Sequence, residues 1–283
     1  MLEGIRIIEL EGLGPGPFAA MMLADLGADV IVVHRPSSSV PSMPEQNIID
    51  RGKRSIVLDL KNKDDLTNMK KLIATADGLI EGFRPGVMEG LGLGPEVILK
   101  NHPGLVYGRM TGWGQNGPKA KDAGHDLNYI ALSGALWYAS SAGTPPFTPP
   151  TLAGDIGGGA LYLVAGILAG LLRAQSTGKG TVIDAAIVDG SAHMMNLLMS
   201  TQAAGLLSPN RGESFLDGPP WSRCYACADN EWISVQCLEP KFYAVFIEKL
   251  DLKDDPDFNQ QMDQSAWSKM TVTLEQLFSQ YPL

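Results

Sequence analysis

Within its first 33 residues the chain runs strand, glycine turn, helix and strand, and this unit restricts the possible folds more than any other feature. Ile5 to Leu10 (IRIIEL) is a short apolar segment of strand length, and Gly12-Leu-Gly-Pro-Gly-Pro17 interrupts it. Ala19 to Leu26 then has a helical pattern closed by Gly27, and Val30-Ile-Val-Val33 is again β-branched. A strand–helix–strand unit of this length builds a parallel sheet. Ser55 to Leu60, Gly78 to Ile80 and Leu105 to Arg109 read as further strands separated by helical stretches, and Thr181 to Ile187 as another buried one. The expected fold is therefore a doubly wound α/β domain over residues 1–187. Residues 188–214, broken at Ser208-Pro-Asn-Arg-Gly212, read as a linker. A smaller α+β domain is expected over 215–283. Its signals are the alternation from Tyr225 to Cys237 around Asp229-Asn230 and an amphipathic helix from Phe242 to Leu250.

Several functions are disfavoured by composition and spacing. Gly12, Gly14 and Gly16 alternate instead of following G-x-G-x-x-G, and Pro15 and Pro17 remove two amides that a pyrophosphate would need, so the turn does not read as an NAD site. A net charge of −9 argues against nucleic acid or an anionic membrane as partner. The three cysteines, Cys224, Cys227 and Cys237, are too few and too clustered for a disulfide framework; they suit a reducing, cytoplasmic compartment. Cys224-Tyr-Ala-Cys227 lies in an alternating, strand-like segment with no second pair, so no metal site is expected. The chain begins almost directly with a strand and shows no secretory leader pattern. Ile156 to Leu172 is an uncharged stretch of 17 residues. Its five glycines and the flanking Asp155 and Arg173 favour a buried helix with close backbone packing over a membrane span.

Two acidic or basic turns carry the chemistry. Gly124-His125-Asp126 and Gly154-Asp155 each stand directly before an apolar stretch that reads as a helix. A base and an acid are thus placed near clustered backbone N–H groups, a layout suited to moving protons beside a developing negative charge. A lone histidine before a helix is commonly a structural cap, and Asp126, on entering the helix, reads most simply as its N-cap. Burial of Asp155 among Gly, Ala and Leu is expected to raise its pKa. Donors for a developing oxyanion are expected near Gly157 and Gly158.

A series of ordered motifs accompanies these turns: Gly12-Leu-Gly-Pro-Gly-Pro17, His34-Arg-Pro36, Arg51-Gly-Lys-Arg-Ser55, Leu58-Asp-Leu-Lys61, Arg84-Pro-Gly86, Thr111-Gly-Trp-Gly-Gln-Asn-Gly117, Gly124-His-Asp-Leu-Asn-Tyr129, Gly154-Asp155, Gly178-Lys-Gly180 and Glu239-Pro-Lys-Phe242. Together they resemble the class III CoA-transferase (CaiB/BaiF-like) family along essentially the whole chain, and most closely its branch that racemises 2-methylacyl-CoA thioesters. The resemblance implies a Rossmann-like domain that binds coenzyme A, a smaller domain that helps close the active site, and an interlocked homodimer. It implies no metal and no bound redox cofactor, coenzyme A being part of the substrate. By the same resemblance His125 and Asp155 are the catalytic pair, with Glu239 in support. Arg35, Leu58, Asp59, Leu60, Lys61 and Arg84 would meet the nucleotide. Gly124, Asp126 and Tyr129 would meet the pantetheine or thioester end. Arg51, Lys53 and Arg54 join Arg35, Lys61 and Arg84 as cations available to phosphates, about half of them expected to be solvated loop charges. Two departures accompany the match. Racemases of the family run several dozen residues longer, so the second domain is expected to be incomplete at its C-terminal end, and His34 stands where the family usually has an acidic residue. Within the same fold, the competing activity is a CoA-transferase in which Asp155 attacks the acyl thioester.

Overall fold

The structure is a computed structural model and describes residues 1–36 and 47–283. The chain divides into two compact units, one of residues 1–136 and 147–195 and the other of residues 137–146 and 196–283.

The first unit contains β1 (Arg6–Leu10), α1 (Pro15–Asp25), β2 (Asp29–His34), β3 (Lys53–Val57), α2 (Lys63–Ile73), β4 (Gly78–Glu81), α3 (Val87–Gly90), α4 (Pro95–Asn101), β5 (Val106–Thr111) and α5 (Asp126–Leu132). A helix over Leu152–Thr177, whose α-helical part is α6 (Leu161–Thr177), then leads to β6 (Thr181–Ala186) and α7 (Ile187–Met194). All six strands are parallel, in the order β3-β2-β1-β4-β5-β6. Ile7 of β1 lies between Val30 of β2 and Gly78 of β4. The strand order reverses between β1 and β4, which opens a crevice at their C-terminal ends.

Both faces of the sheet are covered, as an all-parallel sheet requires. Ala19, Ala20 and Leu23 of α1 pack with Leu163 and Ile167 of α6 on one face. Met69 and Ile73 of α2 pack with Met88 and Ile98 on the other. Helix α1 begins at Pro15, earlier than the apolar pattern suggests; Pro15 and Pro17 occupy its first turn, where a missing N–H costs nothing. The third strand also shifts, covering Lys53–Val57 instead of Ser55 to Leu60. Leu58 is instead buried in the core just beyond the strand, so residues 58–61 form the loop leaving it.

Among the described residues, Leu152–Thr177 is a helix long and apolar enough to cross a bilayer. One side of it packs on the sheet, with Leu163, Val164, Ile167 and Leu171 buried. A Cβ added at Gly166 would lie 2.6 Å from Ile183 Cγ2, and one at Gly170 would lie 2.7 Å from Val106 Cγ1. The glycines thus let the helix backbone lie on β5 and β6, the close packing expected of this segment.

The second unit holds α8 (Asn196–Ala203), the antiparallel pair β7 (Ser222–Ala226) and β8 (Trp232–Gln236), α9 (Pro240–Lys249) and α10 (Trp267–Phe278). The hairpin turn contains Asn230 at φ 64°, a left-handed conformation that Asn tolerates. Cys224 sits exposed on β7, and Cys227 is buried just past its end. Trp221, Tyr225, Tyr243, Phe258, Met270 and Leu274 form the core of this unit. The indole N–H groups of Trp221 and Trp267 both donate to the Gln261 carbonyl, at 3.2 and 3.1 Å.

Candidate active site

A cavity of about 360 Å³ lies at the reversal of strand order. Its walls are residues 12–17, the ends of β1, β4 and β5, and the side chains of His125, Tyr129 and Asp155. An adjoining cavity of about 390 Å³ shares Leu13, Gly82, Thr111, Gly112, His125 and Tyr129 with it and extends to Arg84, Trp113 and Gly124. The glycine turn therefore serves as a wall of this crevice.

His125 is the residue before α5, with extended backbone at φ −138°. Asn128 Oδ1 accepts its N–H at 3.0 Å, while the Asn128 N–H donates to the His125 carbonyl at 2.8 Å. This reciprocal pair fixes the start of the helix and the direction in which the imidazole leaves it. His125 is thus the N-cap, and the expectation that Asp126 caps the helix is corrected. Asp126 is the first helical residue, only 7% exposed, and its Oδ1 accepts the Asp155 N–H at 2.8 Å. Its Oδ2 is buried with no hydrogen-bond partner among the described groups. Gly154 makes this approach possible, since a Cβ there would lie 2.4 Å from Asp126 Oδ1.

Asp155 does not stand ahead of its helix as the sequence suggested. It lies within a π-helical first turn, Leu152–Ala160, in which the Ile156 N–H reaches the Thr151 carbonyl at 3.0 Å. Such wide turns cluster at functional sites because they re-aim side chains. Gly157 and Gly158, near which oxyanion donors were expected, lie inside this π-helical segment and line neither cavity. Burial, and next the Asp126 carboxylate, push the Asp155 carboxyl up to about 6, against a smaller opposing pull from His125. The raised value expected from burial is therefore present.

Tyr129 lies between the two cavities, its hydroxyl donating to the Gly124 carbonyl and its ring edge-to-face with Trp113 at 4.7 Å between centroids. A Cβ at Gly112 would fall 1.9 Å from Tyr129 Cζ, so a side chain there would evict the ring.

The cations divide into two groups. Arg51 pairs with Asp25, Arg54 with Asp29, and the Lys53 side chain is buried, donating to Glu9 Oε2 at 2.7 Å and the Pro17 carbonyl at 2.9 Å. These three are used within the fold. Arg84 is exposed and lines the outer cavity. Arg35, whose N–H donates to Glu11 Oε2 at 2.9 Å, and residues 58–61 lie at the ends of β2 and β3 and line neither cavity. Leu58 is buried, Asp59 and Leu60 are half-buried, and Lys61 is exposed with its N–H on Asp59 Oδ1 at 3.0 Å. Glu239 belongs to the second unit, immediately before α9. Gly82 and Ile187 were not anticipated as wall residues; a glycine directly after a strand end was the available signal for the first.

Known proteins resemble this chain along nearly its whole length. A sequence profile described as CoA-transferase family III matches residues 2–283. Alpha-methylacyl-CoA racemase from Mus musculus is 42% identical over 280 residues, covering 99% of this chain and 72% of the mouse protein. Acetyl-CoA:oxalate CoA-transferase from Acetobacter aceti is 30% identical over 300 residues, covering 99% of this chain and 75% of that protein. Among solved structures, a CAIB/BAIF family protein from Brucella suis aligns with a TM-score of 0.83 at 26% identity, covering 99% of this chain and 78% of that one.

Proposed function

The chain belongs to the CoA-transferase family III, and from that premise we propose that it is an α-methylacyl-CoA racemase, an isomerase that inverts C2 of 2-methylacyl-CoA thioesters. The observation that carries this is the presence of two proton-transfer groups, His125 and Asp155, on the wall of one cavity. The identity to a racemase, 42% against 30% to a CoA-transferase, points the same way.

Inversion requires one group to take the C2 proton from one face and another to deliver a proton to the opposite face. In one direction the Asp155 carboxylate removes the proton, the electron pair moves onto the thioester oxygen as an enolate, and the His125 imidazolium protonates C2 from the far side. The reverse direction exchanges the roles. A carboxyl at about 6 suits both duties: it is mostly ionised at neutral pH, yet it is a far stronger base than an ordinary aspartate near 3.8. Coenzyme A enters only as part of the substrate, its pantetheine arm filling the outer cavity past Tyr129 and its phosphates meeting Arg84, Arg35 and Lys61. Glu239 is proposed as a supporting group for catalysis; Glu239→Gln then lowers kcat by about tenfold or more. A homodimer is proposed as the working assembly.

Incubation of a single (2R)-2-methylacyl-CoA epimer tests this proposal. Chiral analysis should show an approach to an equal mixture of epimers. Transfer of CoA to a free carboxylate acceptor with release of the original 2-methyl acid, dependent on Asp155 but indifferent to His125→Ala and without inversion at C2, would instead establish a transferase.

A further inference from the structure

A buried ionic network lies behind the outer cavity, and proton transfer makes no use of it. Arg109 on β5 is 6% exposed and sits directly opposite Glu81, the last residue of β4, itself 1% exposed. Its Nε donates to Glu81 Oε1 at 2.7 Å, and its Nη1 to Glu89 Oε1 on α3 at 2.7 Å. Glu81 also holds the loop that follows it, because its Oε2 accepts the Phe83 N–H at 2.7 Å. One guanidinium therefore ties together the end of β4, an amide of loop 82–86, and the helix that follows that loop. Gly82, Phe83, Arg84 and Pro85 of the loop line the outer cavity.

A buried pair of this kind is no economical way to build a sheet, because desolvation of the charges consumes most of their attraction. What it provides is direction. The forked guanidinium holds two carboxylates in fixed geometry, where an apolar pair would leave the loop free to slide.

We propose that Arg109 is a positioning residue for the acyl-CoA, fixing loop 82–86 so that it presents the Arg84 guanidinium to the phosphate-bearing end of the substrate. This rests on the acyl-CoA reading of the cavity. The inference therefore concerns binding of the nucleotide end and leaves the proton-transfer step untouched.

Steady-state kinetics on two thioesters test it: 2-methylacyl-CoA, and the corresponding 2-methylacyl-pantetheine, which lacks the adenosine phosphates. In the charge-balanced double variant Arg109→Met/Glu81→Gln, KM for the CoA substrate should rise by about tenfold with kcat within about twofold, and KM for the pantetheine thioester should stay unchanged. Glu89→Gln removes an arm whose side chain is half-exposed, leaves the buried pair intact, and should give a smaller rise with the same selectivity. Arg109→Lys keeps the charge without the fork and should fall between them. An equal rise in KM for both thioesters, or a fall in kcat at constant KM, overturns the proposal. If the double variant fails to fold, Glu89→Gln decides: a selective rise supports the proposal and an unchanged KM overturns it. Absence of any racemase turnover in the parent protein would instead strike the function itself.

Discussion

Burial does most to raise the Asp155 carboxyl, and a single backbone contact with Asp126 adds to it. Asp126 reaches the Asp155 amide with one oxygen and leaves the other buried, so its charge is held close to the Asp155 carboxyl. Asp126→Asn keeps an oxygen for the Asp155 N–H but removes the like charge, so the Asp155 pKa should fall and the acid limb of the kcat/KM–pH profile should move to lower pH. The same shift has a sign for stability. Because the folded-state value, about 6, exceeds the ordinary 3.8, the folded protein binds this proton more tightly than the unfolded chain does. The favourable contribution is complete below about 3.8 and is lost as pH rises through about 6. Asp155→Asn should therefore lose racemisation yet gain thermal stability over the parent near pH 7, with the difference shrinking towards pH 4. A variant that loses stability at pH 7 would contradict this account of the carboxyl.

At the scale of elements, the glycines of the helix over residues 152–177 decide how closely it lies on the sheet. Alanine at Gly170 would gain about 1 kcal/mol of helix propensity, but its Cβ would meet Val106, a stiff β-branched core residue, at 2.7 Å. Overpacking costs about 1–3 kcal/mol and should win, so Gly170→Ala should lower the urea midpoint. Gly90 provides the contrast, since a Cβ added there would meet nothing within 4 Å; Gly90→Ala should leave the midpoint equal or slightly higher. Elements of this kind were legible in the sequence, because strand alternation, the proline-filled turn and the glycine-rich apolar run are local patterns. The ion pairs were not. Arg54 finds Asp29, 25 residues away, and Lys53 finds Glu9, 44 residues away, so their use inside the fold depends on strand order. The role of Asp126 was hidden for a related reason: its partner is an amide 29 residues on, inside a helical turn whose width no local pattern announced. His125, Asp155 and Tyr129 were found as a group by their motifs, whereas Arg109, Glu81 and Glu89 belong to no motif and appear only once β4 and β5 are paired.

At the scale of the whole molecule, the parallel sheet places its cavity where the strand order reverses, and the chain brings His125 to that point after β5 and Asp155 at the start of the helix that leads to β6. Two groups delivered by separate elements can stand on opposite faces of one carbon, which a single loop would not readily arrange. If the proposed homodimer is the working assembly, sedimentation equilibrium should return twice the chain mass. The central claim, that His125 and Asp155 each serve one face of C2, is tested most directly by deuterium exchange. Each epimer of a 2-methylacyl-CoA is incubated separately in deuterated water with His125→Ala and with Asp155→Ala, and C2 is followed by NMR. The account predicts that both variants lose inversion while each still washes deuterium into one epimer only, the two variants retaining opposite epimers. Inversion persisting in His125→Ala, or both variants exchanging the same epimer, would contradict it.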